Sequence, residues 1–169
     1  MALSVQNMVD TILDAMENEK PDTAVAANKT FGNAVLENIC ETIEITYFWT
    51  GVGPPPASAP DPVIMFNATV SGGGTLTPSN SVPEMLIKLA TLIKGLTISA
   101  PAPFMVAPLA FNPAGVLVAV MAKEDCQELA ITNLCTQIIA SIKLSFINPL
   151  PAAGSHAVFT GTTTGMIIR

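Results

Sequence analysis

Residues 37–50 read Glu37-Asn38-Ile39-Cys40-Glu41-Thr42-Ile43-Glu44-Ile45-Thr46-Tyr47-Phe48-Trp49-Thr50, and the hydrophobic period changes inside them. Up to Ile43 the spacing is helical. Phe31, Ala34 or Val35, Ile39 and Ile43 make one side, and Glu37, Glu41 and Glu44 share another. From Ile45 to Thr50 the residues are β-branched and aromatic, which predicts a strand. A helix from about Thr23 to about Ile43 therefore hands over directly to a strand, and helices and strands must share a core.

On the N-terminal side, Val5, Met8 or Val9, Ile12 and Met16 mark a first amphipathic helix. Ser4 suits its N-cap, and the Glu17–Asp22 cluster with Pro21 closes it. On the C-terminal side, Gly51-Val52-Gly53-Pro54-Pro55-Pro56 with Pro60 and Pro62 forms an extended loop. Ile64, Phe66, Ala68 and Val70 then alternate with Met65, Asn67, Thr69 and Ser71, the pattern of a half-buried strand. Gly72-Gly73-Gly74 reads as a flexible turn that ends it.

The second half echoes this order. Ser81-Val82-Pro83-Glu84-Met85 matches Ser4-Val5-Gln6-Asn7-Met8, and Asn133-Leu134-Cys135 matches Asn38-Ile39-Cys40. Ile142-Lys143-Leu144-Ser145-Phe146 matches Ile43-Glu44-Ile45-Thr46-Tyr47. Phe159-Thr160-Gly161-Thr162-Thr163-Thr164-Gly165 and Phe66-Asn67-Ala68-Thr69-Val70-Ser71-Gly72 share F-x-[AG]-T-x-[ST]-G. Ser81 caps a helix carrying Met85 or Leu86, Leu89 and Ile93, which Gly95 stops. A longer helical pattern runs from about Ala114 or Lys123 to Ile142. Within it, 114–122 is a continuous apolar run in which periodicity does not separate helix from strand. The expected fold is α+β, with two similar halves (1–80 and 81–169). Each half has two helices plus a β-hairpin with a Pro-rich loop, packed as one pseudo-symmetric domain. The second half carries a Pro-rich insertion at about 96–113.

Composition narrows the function. Half of the 169 residues are apolar and only 12% are charged, against about 25% in a typical soluble domain. Disorder is excluded by that apolar fraction. The net charge of −6 disfavours a nucleic-acid partner. Residues 1–61 hold nine acids and two bases, whereas the rest holds four acids and five bases. Residues 45–60, 62–83, 95–122 and 144–168 carry no Asp, Glu, Lys or Arg at all. Pro101, Pro103, Pro108 and Pro113 break the 95–122 stretch as a membrane span, so no membrane partner is expected. The start Met1-Ala2-Leu3-Ser4-Val5-Gln6 does not read as a signal peptide, which points to a cytoplasmic place of assembly.

Residues for catalysis are sparse. His156 lies beside Gly154 and Ser155 in an expected loop, without a marked nucleophile or carboxylate partner. Cys40, Cys126 and Cys135 read as free buried thiols, since Cys126 and Cys135 fall on opposite sides of one helix. Ser71-Gly72-Gly73-Gly74-Thr75 has no Gly-Lys-Ser/Thr, so it is not a phosphate loop. Glu124, Asp125 and Glu128 make a charged helical turn with too few oxygen ligands for a cation. No catalytic residue, metal or cofactor is expected.

The chain resembles small structural proteins of tailed bacteriophages. The resemblance rests on the amphipathic first helix, an Ala-rich second helix running into a strand, and neutral Pro/Gly/Thr loops. The ending Phe159-Thr160-Gly161-Thr162-Thr163-Thr164-Gly165-Met166-Ile167-Ile168 carries it further. It implies a non-enzymatic subunit of a neck, tail or baseplate, assembled in the host cytoplasm as a homo-oligomeric ring with other virion proteins. Candidate interface residues are Tyr47, Trp49, Pro54, Pro55, Pro56, Pro101, Pro103, Phe104, Pro108 and Phe111. The alternatives are a capsid decoration protein, a hydrolytic or ligand-binding domain using His156 with an acid such as Asp61, and a peripheral membrane protein using 96–113.

Overall fold

In a computed structural model the described residues are 3–52, 63–99, 111–120, 127–144, 153–156 and 159–168. Helices α1 (Val5–Glu19) and α2 (Ala24–Thr42) open the chain, followed by strands β1 (Ile45–Val52) and β2 (Val63–Ser71). Then come helix α3 (Val82–Lys94), strand β3 (Thr97–Ser99) and helices α4 (Pro113–Val120) and α5 (Gln127–Leu144). Strands β4 (Ala153–His156) and β5 (Phe159–Ile168) end it.

Local chemistry sets the helix starts. Ser4, Thr23 and Ser81 are extended N-caps whose hydroxyls accept from Asn7, Ala26 and Glu84 amides respectively. Each such cap contributes about 1 kcal/mol. Glu84 also reaches back, accepting from the Asn80 amide at 2.9 Å. Asn112 decides the ambiguous run after it. Its side-chain oxygen accepts from Ala114 N at 3.0 Å and Gly115 N at 3.4 Å, with Pro113 as first helical residue. The apolar stretch is therefore helical from Pro113 to Val120.

Packing joins α1 to α2, α2 to α3, α3 to α4, α4 to α5 and α5 back to α1, so the five helices form a closed circuit. Inside it lie Met8 and Ile12 of α1, Val35 and Ile39 of α2, Leu86, Leu89 and Ile93 of α3, Val116 of α4, and Cys135, Ile138 and Ile142 of α5. Fully burying each large apolar side chain contributes about 1.5–3 kcal/mol, so Leu89→Ala is expected to cost about 2–5 kcal/mol.

Two polar features lock this body. Asn38, buried on α2, donates to Thr11 Oγ1 on α1 at 3.1 Å, while Thr11 donates to the Asn7 carbonyl and Thr42 to the Asn38 carbonyl, each at 2.8 Å. The segment 72–80 lies on α2: Asn33 Oδ1 accepts from Leu76 N at 2.8 Å and Asn28 Nδ2 donates to the Ser79 carbonyl at 3.0 Å. Leu76 and Ser79 are both buried.

The five strands pair in the order β3-β2-β1-β5-β4, every neighbouring pair antiparallel. In register, Tyr47 lies opposite Phe66 on one side and Met166 on the other. The β1–β5 ladder shifts register between Phe48 and Trp49. Of the helices, α2 is the one packed on the sheet, against β2, among the described residues.

The expected α+β domain of two similar halves is overturned. Helices make up most of the described residues, and they gather in one body of five, while the strands gather in one sheet. The molecule is a mainly helical body, not a pair of helix–helix–hairpin units. The halves also differ in element order, because α3 is followed by β3 and by α4, which have no counterparts between α1 and α2. The echo fails over 142–144 for a physical reason. Leu134, Cys135, Ile138, Ile139 and Ile142 keep one helical face buried, so α5 continues through Leu144. At the matching place in the first half, Ile43 is already extended (φ −69°, ψ 129°). A two-fold axis would bring equivalent strands of the two hairpins together. Instead the first strand of one hairpin, β1, pairs with the last strand of the other, β5.

Candidate functional site

The charges and the strands separate cleanly. β1, β2, β3, β4 and β5 contain no Asp, Glu, Lys or Arg. Their end members, β3 and β4, are three and four residues long. The helices carry the acidic surface, with Asp10, Asp14 and Glu17 exposed on α1 and Glu37 and Glu41 on α2.

Tyr47 and Trp49 occupy alternate positions of the central strand β1, opposite Phe66 and Ile64 of β2. Phe111 is 6% exposed and belongs to the core of the chain itself. Pro54, Pro55, Pro56, Pro101, Pro103, Phe104 and Pro108 lie outside the described residues, as do Cys126, Glu124, Asp125 and most of the 96–113 insertion. His156 ends strand β4, opposite Phe159, where a loop was expected.

Cys40 lies between two grooves. One, of about 490 Å³, is lined by Glu41, Ile43, Glu44, Ile45, Thr69 and Val70, where α2 passes into β1 beside β2. The other, of about 340 Å³, is lined by Asn33, Leu36, Glu37, Gly72, Gly74 and Thr75. The thiol donates to the Gly72 carbonyl at 3.7 Å. Burial, and then the Glu41 carboxylate beside it, push its pKa up. A thiol held neutral in this way is not an activated nucleophile. Cys135 is fully buried on α5, and burial pushes it up to about 12.

A third groove, of about 630 Å³, runs between α1, the α1–α2 turn and the start of α5. Leu13, Met16, Pro21 and Ala27 supply apolar lining, and Glu17, Lys20, Gln127 and Glu128 supply polar lining. It is assembled from residues more than a hundred positions apart, so sequence inspection missed it. The one signal was the acidic row along α1. The expected glycine turn at 72–74 is a docked left-handed run instead, with φ of 91°, 101° and 68°.

Among the described residues, no three His, Cys, Asp or Glu side chains converge as a metal site, and no helix is long and apolar enough to cross a membrane. No family model, no curated protein and no solved structure matches the chain.

Proposed function

We propose that this protein is a non-enzymatic structural subunit of a tailed-phage virion, of the neck, tail or baseplate kind. It associates with copies of itself and with other virion structural proteins after synthesis in the host cytoplasm. The observation that supports this reading is the five-stranded sheet without a charged residue, attached to an acidic helical body.

Edge strands present rows of backbone donors and acceptors, and charged side chains or prolines commonly guard them. Neither β3 (Thr97–Ser99) nor β4 (Ala153–His156) carries Lys, Glu or Pro, so shortness is the guard these two edges show. Permanent interfaces resemble a domain core cut in half and are depleted in charge at their centres. A neutral sheet fits that composition, while the acidic helices keep the free subunit soluble.

Native mass spectrometry of the protein alone, and co-expressed with structural proteins of the same particle, tests the proposal. The expected result is a defined oligomer or a defined co-assembly. A strict monomer in every combination, with the protein missing from purified particles, overturns it.

A further inference from the structure

We infer that α3 of one copy docks in the α1–α5 groove of a second copy, a head-to-tail contact that builds the assembly. This rests on the assembly reading above and names its surface.

The closed circuit of helices places α3 between α2 and α4, across the body from the packed pair α1 and α5. The two surfaces thus face different directions and cannot meet within one chain. A contact between unlike surfaces is heterologous, and it closes into a ring where the rotation permits.

α3 presents the apolar half of the contact. Ile87 is 59% exposed; Val82, 40% exposed, stands five residues away on another face of the helix. Thr91 and Lys94 follow Ile87 at four and seven residues, so the three share one exposed stripe. Thr91 returns its hydroxyl to the Ile87 carbonyl at 3.0 Å, which leaves the middle of that stripe with little outward polarity. Lys88 is engaged by Glu84 at 2.7 Å and by the Pro78 carbonyl, whereas Lys94 puts its charge at the end of the helix.

The groove presents the complement. Leu13 and Met16 give it apolar walls, and Glu17 and Glu128 place two carboxylates beside them, with Lys20 the one cation in the lining among the described residues. Of the exposed acidic row Asp10, Asp14 and Glu17 on α1, Glu17 is the member that lines the groove. An isoleucine seated on Leu13 and Met16 with a lysine over Glu17 and Glu128 satisfies both surfaces at once. Charge complementarity of this kind sets partner and register more than raw affinity.

The test compares native masses of wild type, Ile87→Glu, Lys94→Glu, Glu17→Lys and the Lys94→Glu/Glu17→Lys double variant, with circular dichroism confirming the helical fold. All substituted side chains are exposed. The expected result is an oligomeric wild type, Ile87→Glu reduced to the 17.6 kDa monomer, both charge reversals dissociating at concentrations at least tenfold higher, and recovery in the double variant. An oligomer unaffected by Ile87→Glu and by either reversal overturns this contact and leaves the assembly reading intact. The same holds for reversals that weaken association without recovery in the double variant. A wild type that is monomeric on its own overturns this contact, and the assembly reading falls with it only if no co-assembly with the other particle proteins forms and the protein is missing from purified particles.

Discussion

Gly32 of α2 lies directly under Leu76: a Cβ at position 32 would come within 2.3 Å of Leu76 Cδ2. The segment after β2 reaches α2 closely only because this position has no side chain. Ordinarily Gly→Ala in a helix adds up to about 1 kcal/mol of stability. Here the added methyl must displace the terminal methyl of a leucine that is 1% exposed, and overpacking of a buried site costs about 1–3 kcal/mol. Gly32→Ala is therefore expected to destabilise the protein by about 1 kcal/mol net. In urea titrations the loss should shrink in the background of Leu76→Ala, as coupled neighbours require. Equal losses in both backgrounds would show that Leu76 is not the obstacle.

The three consecutive left-handed glycines have unequal roles. Gly74 (φ 68°) has open space where a Cβ would stand, whereas at Gly73 (φ 101°) a Cβ would meet Leu96 Cδ2 at 2.7 Å. Left-handed backbone costs a non-glycine residue roughly 1–2 kcal/mol, and Gly73 adds a clash to that cost. Gly73→Ala should lower the urea midpoint clearly more than Gly74→Ala. The reverse order would place the strain elsewhere in the turn.

Lys20 caps α1 in left-handed geometry (φ 46°, ψ 57°), its amide bonded to the Met16 carbonyl at 3.0 Å. It sits where helices favour glycine. Lys20→Gly is expected to raise stability by up to about 1 kcal/mol, reduced by the greater freedom glycine has when unfolded. Thermal denaturation at matched pH reads the outcome, and a fall in midpoint would mean that the lysine stem contributes more than its backbone costs.

These positions also mark how far the sequence could be read. The stripes Met8–Ile12, Phe31–Ile43 and Met85–Ile93 and the caps Ser4 and Ser81 were legible, because period and capping are local properties. Helix α4 was undecided because its apolar run has no period, although Asn112-Pro113 ahead of it is a start signal. The pairing of β1 with β5 and the α1–α5 groove join residues about a hundred positions apart. Nothing local encodes such contacts, and the F-x-[AG]-T-x-[ST]-G echo suggested a symmetry that the sheet does not have. The sheet's lack of charge was visible at once, but that the strands holding it form one sheet was not.

The buried network between α1 and α2 has a single weak point. Thr11→Val keeps the shape of the side chain but removes the acceptor for Asn38 Nδ2, which then faces an apolar methyl inside the body. An orphaned buried donor costs about 1–3 kcal/mol. Asn38→Ala together with Thr11→Val should cost less than the sum of the single changes, because neither partner is then left waiting for the other. Strict additivity in urea titrations would remove the hydrogen bond from the account.

Cys135 makes stability depend on alkaline pH. Its thiol is pushed up to about 12 in the folded protein from 9.0, by burial. The folded state therefore holds the proton more tightly than the unfolded chain does. Below pH 9 both states are protonated and the contribution is fully present. As pH rises from 9 towards 12 the unfolded thiol ionises while the folded one does not, and stability falls by up to about 1.4 kcal/mol per pH unit in that window. Cys135→Ala costs about 1 kcal/mol or more at neutral pH through the cavity it leaves, but it deletes this slope. Urea midpoints of wild type and variant, measured between pH 7 and 10.5, should converge as pH rises. Parallel curves would show that Cys135 does not titrate with unfolding and that other groups set the alkaline limit.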